Sequence, residues 1–508
     1  MILNASKQRK IGVVLNYINF LVKIGTQLIY VPIMLEILGQ NEYGVYQLVA
    51  SIISYLSLLN FGFGGSYLRF YAQCKGNLEK EKKLNGTFLT VFMIFAVLVL
   101  LIGITISVNA EFILGSKLTV EELNLSKILL IILTVNMALT FPFSVFSSII
   151  SSREAFIFQK LVELLKNAVN PFFTILILLI GKGSIGLVCV TTVLTILSGI
   201  INVWYVFVKI RAQFSFKKFD FGLIKNIGLF SFFIFLNSII DQINWNVDKF
   251  LLGRIVGSAT IAIYSVGAQI NSIYIQVSDT IASVMATKVN LIVAENDDPV
   301  IKLNSLFVKI GRIQAYIIIA IVAGFLLIGK DFIILWAGKN YEKAYYITLF
   351  LIIPAAIPLM QSLGIDIQRA LNKHQIRSVV YAGLSVGNIL ISIPLIYKFE
   401  ALGAAIGTAI SLLVGNGLVM NIVYKKYIKL DIYNFWKRVI PIIFTSGIGI
   451  MIGIIINYVI NDISWCNLVF KGIIFVFVYI ISEYFIAMNK EEKDMLSSFF
   501  RPRTRGKI

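Results

Sequence analysis

The sequence predicts an all-α integral membrane protein with about fourteen transmembrane helices. They are expected as two parallel six-helix repeats plus two C-terminal helices, with a central cavity between the halves. Three observations carry this prediction: long unbroken apolar runs, an uneven division of Lys and Arg between alternate loops, and a weak internal repeat.

Hydrophobic residues make up 58% of the 508, only 14% are charged, and the mean hydropathy is +0.86. A soluble domain carries about 25% charged residues, and a single water-soluble core cannot hide this much apolar surface. A bilayer can, provided every backbone polar group is satisfied internally, which leaves helices or a closed barrel. The apolar runs reach ~20 residues or more without alternation, so they read as helices.

Spans are predicted near 11–35, 44–68, 84–108, 125–150, 160–180, 184–208, 222–248, 259–285, 305–328, 344–368, 377–397, 401–424, 439–460 and 466–488. The N-terminus, even-numbered loops and C-terminal tail, taken with the adjoining cytoplasmic ends of the spans, then hold 34 Lys and Arg, and the odd-numbered loops hold 8. By the positive-inside rule both termini are cytoplasmic and the number of spans is even. The net charge of +19 is therefore a topology signal and an attraction to anionic membrane lipid, with no nucleic acid expected as a partner. Lys7, Arg9 and Lys10 precede an apolar stretch too long for a cleavable signal core, and no small-x-small site follows it.

The repeat gives the domain plan. Gly39-Gln-Asn-Glu-Tyr-Gly-Val-Tyr46 aligns with Gly257-Ser-Ala-Thr-Ile-Ala-Ile-Tyr264 at an offset of 218. Pro142 and Arg153 match Pro358 and Arg369, Asn170 matches Asn388, and Gly186 with Thr191 matches Gly403 with Thr408. These matches fall in order along the chain. They divide it into 1–210 and 211–428, each of six spans, followed by 429–508 with two helices and a basic tail. An even number of spans per repeat places the symmetry axis along the membrane normal and favours alternating access by rocking of the halves.

Polar residues inside the spans are the candidate site. Asn16, Asn19, Lys23, Gln27 and Tyr30 share one helical face of the first span. An ammonium as deep as Lys23 costs roughly 2.5 kcal/mol or more against lipid. Two readings stand: Lys23 meets a phosphate, or it pairs with a carboxylate such as one on span seven. Span seven carries Asn237, Asp241, Asn244 and Asp248 on one face, and its acids can bind H+ or Na+ or serve as counter-ions. Span eight carries Gln269, Ser272, Gln276, Asp279 and Ser283, as sugar contacts or interhelical hydrogen bonds. Arg69 follows Gly62-Phe-Gly-Gly65, expected to break span two. Arg153 and Arg369 sit at the cytoplasmic rim, as headgroup contacts or positive-inside anchors, and Asp366 is placed to pair with Arg369. Cys74, Cys189 and Cys466 read as packing residues and His374 as an exposed loop residue.

No phosphate-binding loop, metalloprotease motif, nucleophile elbow or Cys/His cluster occurs. No catalytic residue, metal or cofactor is expected, and the short outer loops leave little room for a membrane glycosyltransferase or polymerase.

The stretch Tyr30-Val-Pro-Ile-Met-Leu-Glu-Ile-Leu-Gly-Gln-Asn-Glu-Tyr-Gly-Val-Tyr46, with Asn60-Phe-Gly-Phe-Gly-Gly-Ser66, resembles the bacterial O-antigen and capsule repeat-unit flippases. Asp248-Lys-Phe-Leu-Leu-Gly253 and Tyr264-Ser-Val-Gly-Ala-Gln269 resemble the second repeat of the same family. The resemblance implies the multidrug/oligosaccharidyl-lipid/polysaccharide exporter fold and location in the bacterial inner membrane. It also implies a substrate, undecaprenyl-diphosphate-linked oligosaccharide, and partners among polysaccharide-assembly proteins. Lys23 would then meet the diphosphate, with Asn16, Asn19, Gln27, Arg69, Asn237, Gln242, Trp245, Gln269 and Arg369 as further substrate contacts. Asp241, Asp248 and Asp279 would couple an ion gradient. A lipid II-type flippase and a cation-coupled exporter of amphipathic small molecules are the alternatives; the single Lys23 departs from the arginine-rich cavity expected of the former.

Overall fold

The computed structural model describes residues 5–500 apart from 62, 64, 65, 116, 217–220, 296, 297 and 372. Within helices, the side chains of 5–7, 9, 10, 221, 223–227, 229–234, 236, 237, 241, 283, 284, 374, 496 and 498–500 also lie outside the described set. Asn237, Asp241, Ser283 and His374 are among these, so nothing is stated of their side chains. The described residues form helices and no strand.

The helices are α1 Ala5–Leu56, α2 Ser66–Cys74, α3 Leu78–Val108, α4 Ala110–Leu114, α5 Val120–Ser152, α6 Phe156–Leu179, α7 Gly183–Tyr205 and α8 Phe221–Ile255. There follow α9 Ser258–Glu295, α10 Val300–Ala337, α11 Ala344–Met360, α12 Leu363–Ala370, α13 His374–Leu412, α14 Met420–Val423, α15 Ile432–Val459, α16 Trp465–Ser482 and α17 Lys490–Phe500.

Among the described residues, ten helices are long and apolar enough to cross a membrane, or eleven with the bent pair α11 and α12. Two of the ten are far longer than one crossing needs: Ile11–Asn60 with 50 residues and Gln375–Ile428 with 54. A helix rises about 1.5 Å per residue, so either covers roughly 75–80 Å, against a hydrocarbon core of ~30 Å. Each contains a backbone break, at Gly39 (φ 69°, ψ 178°) and at Glu400 (φ 52°, ψ −127°). The fourteen-span reading divides both helices there. Where a loop was expected at 36–43, the chain turns on a single glycine, whose positive φ costs it no Cβ clash. The break expected before Arg69 begins at Phe61, which takes a left-handed conformation (φ 47°) after the short helix Ser57–Asn60.

The chain divides into two compact units, residues 1–265 with 389–404, and 266–388 with 405–508. The first differs from the sequence-based halves: it takes in α8, the first helix assigned to the second repeat.

In the first unit α1, α3, α5, α6 and α7 pack together. Phe88, Phe92, Phe95 and Phe141 form an aromatic cluster between α3 and α5, and Phe158 stacks on Tyr205 with ring centres 3.8 Å apart. Thr119 and Glu122 form a capping box at the start of α5. The Arg153 guanidinium meets the Glu81 carboxylate at 2.5 Å and lies 5.2 Å from the Tyr71 ring centre. That contact adds a structural role to the two readings of Arg153 offered above. Glu81 is 7% exposed, so Arg153→Ala strands a buried acid, and we expect a loss of about 3 kcal/mol, read as a lower melting temperature. Glu81→Gln in the Arg153→Ala background should restore part of it.

In the second unit α10 is the central helix, against α11, α15 and α16. Phe307, Phe435, Ile310, Leu359 and Tyr424 are core residues, and the rings of Phe307 and Phe435 lie 4.8 Å apart. The last long helix, α16, is held to α10 in part by Lys471, 5% exposed, whose ammonium lies 3.0 Å from Asp331.

Two equivalent pairs recur. Thr191 donates its hydroxyl to Asn170 at 3.5 Å, and Asn388 donates its amide to Thr408 at 3.5 Å. These are positions aligned at offsets of 218 and 217. The cysteines depart from expectation: Cys189 and Cys466 are exposed and Cys74 is half-buried.

Candidate functional site

The polar face of α1 does not act as one surface. Asn19 is buried and donates its side-chain amide to the Lys160 carbonyl of α6 at 3.0 Å. That contact is interhelical packing. Asn16 and Lys23 are exposed, and Gln27 and Tyr30 are half-buried. Among the described residues Lys23 makes no ion pair, while its carbonyl accepts from Thr26 at 3.0 Å. Periodicity sets which residues share a face but not which neighbour covers part of it, hence the split at Asn19.

Beyond the Gly39 break, α1 meets α8. Lys249 donates to Gln47 Oε1 at 3.1 Å, and Gln47 donates to the Tyr43 hydroxyl at 2.8 Å. Asp248, 1% exposed, accepts a 2.5 Å hydrogen bond from the Tyr264 hydroxyl at the start of α9. The acid proposed for ion coupling is thus gripped by a tyrosine from the aligned segment 257–264. Counting back 218 positions from Asp248 and Tyr264 gives Tyr30 and Tyr46.

The turn between α8 and α9 is tied to the rest of the first unit by polar contacts. Ser258 donates to Glu122 Oε1 at 2.6 Å. Its carbonyl sits so close to Gly44 that a Cβ there would overlap it. Nearby in the chain fold, Glu42 accepts from the Ser184 backbone amide at 2.6 Å, fastening the α6–α7 turn to the same part of α1. A side chain at Gly44 cannot be accommodated without moving backbone.

The remaining candidates have different surroundings. Gln242 is half-buried and accepts from Asn246 at 2.6 Å, and Trp245 is exposed. Arg69 is exposed on α2. In the second unit Gln269 is half-buried, Asp279 is exposed on α9, and Arg369 lies 3.6 Å from Asp366, the expected pairing. No group of acids, cysteines or histidines arranged for a metal occurs among the described residues.

Two buried or half-buried cations were assigned to loops in the sequence count and lie inside helices instead. Lys166 is in the third turn of α6 and donates to Thr195 at 3.2 Å. Arg312 is in the fourth turn of α10 and is 6% exposed. Both also fall within the predicted spans 160–180 and 305–328, but the charge count grouped them with the adjoining cytoplasmic loops. A polar layer accompanies Lys166: Asn136 of α5 donates to Thr192 at 3.1 Å and to Thr195 at 3.4 Å.

A chain of long apolar helices, broken at Gly39 and Glu400, with charged side chains held inside the bundle, is the anatomy of a multi-pass membrane protein. A family model described as "Polysaccharide biosynthesis protein" matches residues 12–287, and the chain belongs to that family. It is 20% identical over 517 residues to the uncharacterized membrane protein EpsK of Bacillus subtilis, covering 97% of this chain and 98% of that protein. The fold is that of the lipid II flippase MurJ in an inward closed conformation: TM-score 0.71, 14% identity, 97% of this chain and 100% of that one. A multidrug resistance MATE family transporter of the MOP superfamily, inward-facing, matches with a TM-score of 0.66, 15% identity, 82% of this chain and 99% of that one.

Proposed function

We propose that the chain flips an undecaprenyl-diphosphate-linked oligosaccharide from the cytoplasmic to the outer leaflet of the bacterial inner membrane, by alternating access of its two repeats. Membership of the polysaccharide biosynthesis family carries the reading, and it fits a cargo whose headgroup is a sugar chain on a diphosphate. The MurJ likeness, which spans 97% of this chain against 82% for the MATE structure, supports a lipid-linked substrate over a small amphipathic molecule. In this reading the headgroup crosses through the protein while the polyprenyl tail stays in lipid.

In this reading the exposed ammonium of Lys23 meets the diphosphate, with Asn16 and Gln27 on the same face toward the sugars. Gln242, Trp245, Gln269, Arg69 and Arg369 are the further contacts. Asp241, Asp248 and Asp279 are the coupling acids for H+ or Na+, with both termini in the cytoplasm. Asp248 is the sharpest to test, because its tyrosine partner is known. Asp248→Asn keeps an oxygen for the Tyr264 hydroxyl and should preserve folding. We expect it to abolish the acceleration of flipping by an imposed ion gradient. Gradient-driven flipping equal to wild type in reconstituted vesicles removes Asp248 from the coupling role.

A further inference from the structure

Glu483 opens a π-helical turn, residues 483–487, at the end of α16. Such turns recur at functional sites. The side chain is 1% exposed, and among the described residues neither of its carboxyl oxygens has a hydrogen-bond partner. The titratable groups that face it are Arg312 and Tyr316 of α10 and Tyr479 of its own helix. Tyr479 donates to the Tyr316 carbonyl at 2.8 Å and not to the acid.

Arg312 is committed elsewhere. Its Nε and Nη2 donate to the two oxygens of Glu492 on α17 at 2.6 and 2.8 Å. Nη2 also reaches the Tyr316 hydroxyl at 2.7 Å and the Ala487 carbonyl at 2.8 Å, and Nη1 donates to the Arg438 carbonyl of α15. The Arg438 side chain itself donates to Asn434, and Lys493 of α17 lies over the Tyr484 ring. Glu492 completes a reciprocal cap with Asn489: each backbone amide donates to the other side chain at 2.9 Å. Burial works against its charge, but the bonds from Arg312 and the Asn489 amide outweigh that and hold its carboxyl below the usual range. Arg312 and Glu492 also line a cavity of about 660 Å³ with Lys309, Arg438, Lys490, Asp431 and Glu491, which gives that ion pair, though not Glu483 directly, an approach from water.

One buried guanidinium therefore stands beside two buried carboxyl groups and bonds to only one. A carboxylate with no partner in an apolar interior is strongly disfavoured, and a bound proton removes the penalty. We propose that Glu483 is a proton-binding site whose occupancy decides how firmly Arg312 holds the C-terminal helix α17. With the proton on Glu483, Arg312 and Glu492 balance. When the Glu483 O–H gives up its proton to water, two carboxylates compete for one cation, and the grip on Glu492 weakens.

The test uses the full-length chain in lipid vesicles, with Cys74, Cys189 and Cys466 replaced and a spin label on Asp494→Cys. As pH rises, wild type should lose an infrared band of a protonated carboxyl, and the label on α17 should become more mobile. Glu483→Gln, neutral and nearly isosteric, should lack the band and keep the label ordered over the same range. Glu492→Gln should leave it mobile throughout. Acid release of Glu492 runs in the opposite pH direction: its lowered carboxyl stabilises docking above the ordinary carboxylate range and loses that contribution as pH falls through the depressed value. An unchanged band in Glu483→Gln, or equal mobilisation with rising pH in that variant, overturns the proposal.

Discussion

Lys23→Ala and Lys23→Gln are expected to abolish surface-glycan assembly in a strain that depends on this chain, while Lys23→Arg retains a measurable fraction. The ammonium is exposed on the first long helix and has no ion pair among the described residues. A lone charge at that depth is costly against lipid and is tolerated where it faces water or an anion. If it meets the diphosphate only when substrate enters, neutralising it removes a charge-assisted contact worth ~1.5–3 kcal/mol, a drop in substrate affinity of about tenfold to more than a hundredfold. Protein level and melting temperature should stay near wild type, since Lys23 has no ion-pair partner among the described residues to lose. Normal glycan assembly in both neutral variants assigns Lys23 to a role other than the headgroup.

Gly44→Leu is expected to be as severe through a different physical cause. The glycine lies five residues past the Gly39 break, where α1 runs against the Ser258 carbonyl at the start of α9. Overpacking a well-filled site costs typically 1–3 kcal/mol, and more where the obstructing atom is backbone and cannot rotate away. The wedge also parts two contacts that fix the α8–α9 turn, Ser258 to Glu122 and Tyr264 to Asp248. Gly44→Leu should therefore lower the melting temperature and flipping together, whereas Gly25→Ala, with open space around its Cβ, should alter neither much. A Gly44→Leu protein with wild-type melting behaviour contradicts this packing account.

The helical class was legible from composition because burying unpaired backbone in lipid leaves the chain few alternatives. So was the break before Arg69, since Gly62-Phe-Gly-Gly65 offers little to hold a helix. Gly39 was read as part of a loop because the polar Gln40, Asn41 and Glu42 follow it, whereas the structure keeps these in helix and breaks at the glycine alone. The charge count was coarser than the spans: Lys166 and Arg312 lie within the predicted 160–180 and 305–328, and within α6 and α10, yet they were counted with the adjoining loop charges. Long side chains let such residues sit inside a helix end and still find polar partners, and hydropathy alone does not register that.

The site was legible as residue types and faces, not as contacts. Asp248 stood out as an acid in a span, but its tyrosine partner lies on the next helix, at a position singled out for the repeat and the family resemblance and not for contact with an acid. Lys249 and Gln47 are 202 residues apart, a separation no local pattern encodes. Asn19 illustrates the converse: correct periodicity placed it with Lys23, and the packing of α6 took it away.

The central claim concerns what crosses the membrane, and one measurement addresses it directly. Purified protein in vesicles, loaded on one leaflet with a fluorescent polyprenyl-diphosphate oligosaccharide, is followed by the accessibility of the sugar to an external glycosidase. Wild-type protein should expose the sugar many times faster than empty vesicles, Lys23→Gln should fall to the empty-vesicle rate, and a polyprenyl monophosphate without sugar should not compete. Sugar exposure no faster than in empty vesicles, together with export of an amphipathic cationic dye by the same preparation, would contradict the account.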